Sequence, residues 1–338
     1  MIHAYCIHRA LSATVMSLKL FTPAQDDRPL IAIALLLLAT FTLALQDTLM
    51  KLMASETSFW QIQTLRSVGN ILISVLLAVA AGGLSLLKPH NRKGVLLRSA
   101  FLAITMFLFF SGAPFLTVTE MAAGLYTYPV FVCLLAGPVL GESIGPWRIG
   151  SMIISTLGAL IVISPWYEGF SIVQLLPVFA GFFFACNILT LRHACRHEST
   201  LALSFVAGLV FFCVGLVGVT VLSILQLPTA VISNMPYVAI GWPELTWLVA
   251  GFALLASVLN LTGNICMTRA YQSADVSLLA PLDFAYLIFA AFWGRIVFND
   301  WPQTHTAIGM LLIICAGATI AVREHRLKSP GKLDSSGQ

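Results

Sequence analysis

The chain is broken into long stretches that carry no formal charge. No Asp, Glu, Lys or Arg occurs in 29–46, 67–87, 99–119, 121–141, 149–167, 169–191, 245–268 or 301–322. Each stretch is close to the ~20 residues that a helix needs to cross a hydrocarbon core. A soluble domain carries roughly a quarter charged residues; here the share is 9%, against 59% apolar. A core in water cannot hide that much apolar surface, so lipid is the solvent for most of the chain. The fold class expected is an all-α integral membrane protein.

Two further segments complete the count. The charge-free interval 199–243 reads as a helix over 201–225 followed by an exposed loop, 228–243, rich in Pro, Asn and Gly. The run 276–298 is apolar but carries Asp283 and Arg295. Ten transmembrane helices are expected near 30–50, 61–81, 95–115, 119–140, 147–165, 172–192, 201–225, 246–267, 276–298 and 304–322. If the N-terminus is cytoplasmic, 15 of the 18 Lys and Arg fall on the cytoplasmic side or in the two tails. Lys51 and Arg295 fall on the other side, and Arg66 lies within the second helix. That asymmetry predicts both termini inside. Residues 1–29 show no long apolar core and no small-residue cleavage site, so they read as a cytoplasmic tail or as an over-extended start with Met16 as initiator. Residues 323–338 read as a basic cytoplasmic tail.

Three pairs of segments match between the halves. "LALQDTLMKLM" (43–53) parallels "FFACNILTLRH" (183–193), which sets Asp47 beside Asn187. "TVTEMAAGL" parallels "QSADVSLLA", which sets Glu120 beside Asp275. "GESIGPWRIGSMIISTLGALIVI" (141–163) parallels the segment over 299–322. Two five-helix repeats are therefore expected, 30–165 and 172–322. Because five is odd, the second must be inverted relative to the first, the arrangement from which many transporters build a midplane site. Two similar halves of opposite orientation give inward-open and outward-open states of nearly equal energy.

The ten helices in two sets of five resemble the drug/metabolite transporter superfamily, specifically its EamA-like family. So do "TEMAAGLYTYPVFVCLLAGPVLGE" (119–142) and "ADVSLLAPLDFAYLIFAAFWGRIVFND" (274–300), each closing on an acidic residue before the last helix of its repeat. The resemblance covers roughly 30–325. It implies a central cavity lined by helices three, four, eight and nine with help from one and six, in the cell (inner or plasma) membrane. The implied solute is a small organic metabolite such as an amino acid, a vitamin or a nucleotide-related compound.

Polar residues inside the spans are the candidate substrate- or ion-binding groups, because a charge at bilayer depth costs about 2.5–3.5 kcal/mol on insertion scales. Asp283 has two compatible readings. In a helix continuous from 276 it is a proton, cation or substrate-amine site sharing a face with Tyr286 and Ala290. If Pro281 opens the helix, Asp283 is a carboxylate stabilising the helix N-terminus. Asp47, Arg66 and Glu120 lie near the outer ends of helices one, two and four. They form either an interfacial salt-bridge set, with Lys51 as the i+4 partner of Asp47, or an outer gate in which Arg66 meets an anionic group of the substrate. Asn187, Asn260 and Asn264 serve helix packing or line the cavity. In "YTYP", Pro129 is expected to kink helix four, and Tyr126 to line the cavity or pack. Glu142 and Asp300 read as acids favouring the start of the following helix. Ser151, Ser155, Gly158, Gly208 and Gly215 read as close-packing positions.

Other chemistries lack their residues. No P-loop is present, no HExxH occurs, and all seven histidines lie outside or at the ends of the apolar runs. The seven cysteines are odd in number and scattered, which argues against a disulfide framework. His193, Cys195 and His197 sit in a basic loop whose arginines oppose a cation. No catalytic residue, metal site or cofactor is assigned. The net charge of +4 belongs to loops facing an anionic lipid surface and not to nucleic acid. The function expected is a secondary transporter of a small-molecule substrate, with coupling to protons if Asp283 or Glu120 titrates, acting as monomer or homodimer. The alternatives are a membrane-embedded enzyme, or a channel or receptor without active transport.

Overall fold

The computed structural model describes residues 29–327 except 82, 141–145, 165, 167–170, 196–197, 226, 274–278 and 280–281. Among the described residues there is no strand. The principal helices are α1 (Pro29–Leu52), α2 (Phe59–Ala81), α3 (Arg92–Ser111), α4 (Val118–Leu125), α5 (Tyr128–Leu140) and α6 (Pro146–Ile163). They are followed by α7 (Leu176–Ala194), α8 (Thr200–Ile224), α9 (Trp247–Ser273), α10 (Ala285–Phe298) and α11 (Thr304–Leu327). Seven helices are long and apolar enough to cross a membrane, counting α4 and the start of α5 as one, and three shorter apolar helices accompany them. The chain is a multi-pass membrane protein.

Burial is inverted on the lipid side. Leu72, Leu76 and Val79 on α2, Val217 and Val221 on α8, and Leu254 and Val258 on α9 are exposed. Water does not tolerate such stripes on this scale, whereas acyl chains do. Trp166, Trp247 and Trp301 are exposed beside helix ends, where interfacial indoles collect. Several hydroxyls within the spans are satisfied locally. Thr40, Thr42 and Thr48 each donate to the carbonyl four residues back, at 2.7–3.0 Å, so none is left unpaired in lipid.

The helices pack as close pairs. α1 lies along α9, α3 along α7, α2 along α8 and α6 along α11, while α10 packs on α1 and on α4. Glycines set several of these distances, as expected at 158, 208 and 215. A Cβ added at Gly158 would stand 2.7 Å from the Gly309 carbonyl oxygen, and one at Gly215 2.4 Å from Thr64 Oγ1. At Gly208 it would meet Ile71 at 3.1 Å. Ser155 is buried.

Three expected helices change. The one expected over 95–115 is α3, Arg92–Ser111, because the Asn91 side chain accepts from Gly94 N at 3.0 Å and starts the helix a turn early. The one expected over 119–140 is two helices, α4 and α5. The one expected over 276–298 is interrupted at Phe284: Leu282 and Asp283 are helical before it, and α10 follows from Ala285. At the end where α3 starts, Glu198 accepts the backbone N–H groups of His90 and Asn91 at 3.0 and 2.6 Å. His90 Nδ1 lies 3.6 Å from the same carboxylate. Burial pushes the Glu198 carboxyl up, but these bonds outweigh it and hold its pKa below the usual carboxylate value. Ser199 Oγ donates to Leu86 O nearby, tying the α2–α3 and α7–α8 connections together.

Candidate functional site

Two interrupted helices face each other inside the bundle. α4 ends where Thr127 Oγ1 donates to Gly124 O at 2.7 Å, and Pro129 falls in the first turn of α5. A proline there forfeits no hydrogen bond, so it opens a second half-helix, where a kink in one continuous helix was expected. Asp283 stands immediately before Phe284, the N-cap residue of α10. Leu282 and Asp283 are themselves helical, and the single turn residue Phe284 separates them from α10, so Asp283 is not at the third position of α10; Pro281 lies outside the described residues. The Tyr126 hydroxyl donates to the Asp283 backbone carbonyl at 3.1 Å, and the Tyr128 hydroxyl donates to Asp283 Oδ2 at 3.0 Å. Asp283 Oδ1 is buried without a hydrogen-bond partner.

From this contact a polar chain runs through the apolar interior. Tyr126 stacks on Tyr286, with ring centroids 5.1 Å apart and planes 13° apart. The Tyr286 hydroxyl donates to Asp47 Oδ2 on α1. Asp47 Oδ1 accepts from Gln46 Nε2 at 2.8 Å, Gln46 Oε1 accepts from Asn260 Nδ2 at 2.9 Å, and Asn264 Nδ2 donates to Asn260 O at 2.8 Å. Residues of α1, α4, α5, α9 and α10 thus meet at one place. Arg66 on α2 is 1% exposed and in electrostatic contact with Asp47. Its Nη2 donates to Gln63 Oε1 at 2.8 Å, and its guanidinium carbon lies 5.9 Å from the Phe211 ring centroid.

Of the nine residues singled out from the sequence, Asp47, Tyr126, Asp283, Tyr286 and Asn260 are joined by hydrogen bonds and stacking, Asn264 is appended and Arg66 lies alongside. Asn187 is buried with Oδ1 unpartnered, and among the described residues no hydrogen bond links it to this polar network. Lys51 does not pair with Asp47. Its ammonium donates to Ala113 O at 2.7 Å and lies 5.0 Å from the Phe298 ring centroid. An i, i+4 ion pair is worth only about 0.3–0.5 kcal/mol, and Asp47 is instead turned inward to the tyrosine. Glu142 and Asp275 lie outside the described residues, as does His197.

Glu120 is a capping residue. Its Oε2 accepts from Thr117 N and Thr117 Oγ1 at 2.8 and 2.9 Å, while Thr117 Oγ1 accepts from Glu120 N at 3.2 Å. This reciprocal box closes the N-terminus of α4. Glu120→Ala is expected to lower the unfolding free energy by about 0.5–1.5 kcal/mol and to leave solute exchange at the wild-type rate. Denaturant titration beside an exchange assay checks it; lost exchange at unchanged stability would return Glu120 to the solute path.

Sequence reasoning passed over Gln46, Gln63, Tyr128 and Tyr237 as site residues. A signal existed for the two glutamines, since each is an uncharged polar residue close to a singled-out charge on a membrane helix. For Tyr237, in a loop, there was none.

Comparison with known proteins agrees with this architecture. The chain is 23% identical over 290 residues to the pseudopaline exporter of Pseudomonas aeruginosa, covering 84% of this chain and 93% of that one. It is 24% identical to the riboflavin transporter of Rhizobium johnstonii, over 81% and 82% of the two chains. A solved crystal structure shares its fold at a TM-score of 0.55 and 18% identity, covering 88% of this chain and 99% of that one. Residues 30–164 match the EamA-like transporter family, and along most of its length the chain is similar to proteins named as transporters of metabolites.

Proposed function

We propose that the chain is a secondary transporter of a small organic metabolite. It works by alternating access between two inverted five-helix repeats, 30–165 and 172–322, with both termini cytoplasmic in the inner membrane. The observation that carries this reading is the buried polar chain Asp283–Tyr126–Tyr286–Asp47–Gln46–Asn260. Polar and ionisable groups are costly in a membrane interior and mark solute or proton paths, and this one lies where broken helices meet. The helix packing supports the repeat. Exchanging α1 with α7, α2 with α8, α3 with α9, α4/α5 with α10 and α6 with α11 maps each close pair onto another close pair or onto itself. A pseudo-two-fold relation between the halves has this property. Asp47 and Asp283 are the groups able to take up and release a proton during the cycle. The relatives named as exporter or transporter of pseudopaline and riboflavin favour a metabolite as the solute.

Counterflow in proteoliposomes tests the reading with amino acids, riboflavin, nucleosides and S-adenosylmethionine. Saturable exchange of a chemically unchanged solute, accelerated by a pH gradient, is expected. A modified product would indicate an enzyme, and flux that does not saturate a channel. Exchange insensitive to both pH and sodium gradients would remove ion coupling and leave transport.

A further inference from the structure

Arg66 is a fully buried charge with little compensation. It lies about 10 Å along α2 from Phe59, at 1.5 Å per residue. Beyond the bond to Gln63, its Nε and Nη1 are buried with no hydrogen-bond partner. Asp47 acts on it electrostatically, but both Asp47 oxygens are taken by Tyr286 and Gln46. A buried guanidinium with no carboxylate bonded to it carries a desolvation cost of several kcal/mol.

A second unpartnered group is held over the same face of α2. Tyr237 is 2% exposed, its hydroxyl is buried without a partner, and it is in electrostatic contact with Arg66. It belongs to the short helix Pro236–Ala239 in the α8–α9 connection. That connection is strapped over the start of α2: Ser58 Oγ donates to Gly241 O, Trp60 Nε1 to Val238 O and Gln61 Nε2 to Pro243 O, all at 2.7–2.8 Å. The Tyr237 ring meets Phe59 edge-on, with centroids 6.2 Å apart. Phe59 and Arg66 are two turns apart on one face of α2, so the strap holds the phenol against the face that carries the guanidinium.

We infer that Arg66 and Tyr237 form a carboxylate-binding subsite of the solute path, so that the transported solute bears a carboxylate. This inference rests on the transporter reading. Guanidinium donors together with a phenol hydroxyl match the two oxygens of a carboxylate. The carboxylate of Asp47, which acts on Arg66, disfavours a dianion such as phosphate. Because the phenol is carried by the connection that covers the outer end of α2, release of the carboxylate and movement of the strap are coupled.

The test uses the purified full-length chain in detergent. Its thermal unfolding midpoint is followed with acetate, succinate, L-phenylalanine and S-adenosylmethionine, each beside its primary amide or methyl ester, and with inorganic phosphate. At least one carboxylate is expected to raise the midpoint while its neutral partner does not. Its apparent affinity should fall roughly 30-fold or more in Arg66→Gln and about tenfold in Tyr237→Phe, with part retained in Arg66→Lys. If Arg66→Gln fails to fold, Tyr237→Phe and Arg66→Lys give the same reading. The subsite is overturned if no carboxylate stabilises the wild type, if phosphate alone does, or if a folded Arg66→Gln binds as before. Counterflow separates the two ideas. Carboxylate binding without exchange removes the transporter reading and leaves the subsite. Exchange of uncharged riboflavin at full rate in Arg66→Gln leaves the transporter and removes the subsite.

Discussion

Asp47→Asn and Asp283→Asn are each expected to yield a folded protein whose solute exchange is reduced by roughly 10–100-fold, the scale of losing a hydrogen bond to a charged group. The bond directions explain why folding survives. Asn260 donates to Gln46, Gln46 to Asp47, and Tyr286 to Asp47 from the other side. Asp47 is therefore the acceptor on which both arms converge. An asparagine keeps one acceptor for Gln46 and presents an N–H to Tyr286, whose hydroxyl can rotate and accept it. No hydrogen-bond partner is stranded, so the fold survives, but the negative charge that acts on buried Arg66 is gone. At Asp283, an asparagine can still accept from Tyr128 and turns its amide N–H toward the position of the unpartnered Oδ1. Exchange rates in proteoliposomes, read beside the unfolding midpoint, check both variants. Full exchange in either would remove that carboxylate from the mechanism. Loss of folding in either would make it a structural group.

Much of this was legible in the sequence, for one reason. In lipid every backbone group must be satisfied within its own helix, so apolar run length maps directly onto α1, α2, α7, α8 and α9. Interruptions were legible only in part. Pro129 marks the start of α5 to within a residue, but the end of α4 depends on the Thr127 hydroxyl turning back to Gly124. The capping box was written in the order Thr117, Val118, Thr119, Glu120, yet a charge near a membrane boundary draws the eye to gating before capping. What a sequence cannot display is which long-range partner an acid takes. Lys51 lay at the i+4 position from Asp47, while Tyr286 lay on a helix near the other end of the chain. The choice between them is made by burial, which strengthens an inward bond and leaves the lysine to the boundary. Tyr237 was hidden for a similar reason: it lies in the α8–α9 connection, and only the three hydrogen bonds that strap this connection to α2 bring it over the face that carries Arg66.

The second large effect is expected where α6 meets α11, away from the polar chain. A Cβ built at Gly309 would lie 2.5 Å from the Gly158 carbonyl oxygen and 2.6 Å from Val162 Cγ2, while one built at Gly158 would lie 2.7 Å from the Gly309 carbonyl oxygen. The clash is reciprocal and against backbone, so no rotamer relieves it and the two helices must separate. In a membrane this matters more than in water, since lipid tails compete equally for apolar contact and helix association depends on close approach. Gly309→Ala is therefore expected to destabilise by about 1–3 kcal/mol, the range for overpacking a tight contact, and Gly309→Leu to prevent accumulation of folded protein. Gly150, on the same α6, has nothing within 4 Å of an added Cβ. Gly150→Ala should be neutral or stabilising by up to about 1 kcal/mol, because alanine is the better helix former. Denaturant titration in detergent micelles separates these outcomes. Equal stability of Gly309→Ala and the wild type would mean that α6 and α11 do not touch at these glycines. α4, which carries Tyr126 toward Asp283 one residue past its C-terminus, packs against both members of this pair. Prying α6 from α11 is therefore expected to displace one side of the site as well, and Gly309→Ala should slow exchange even where folded protein is recovered.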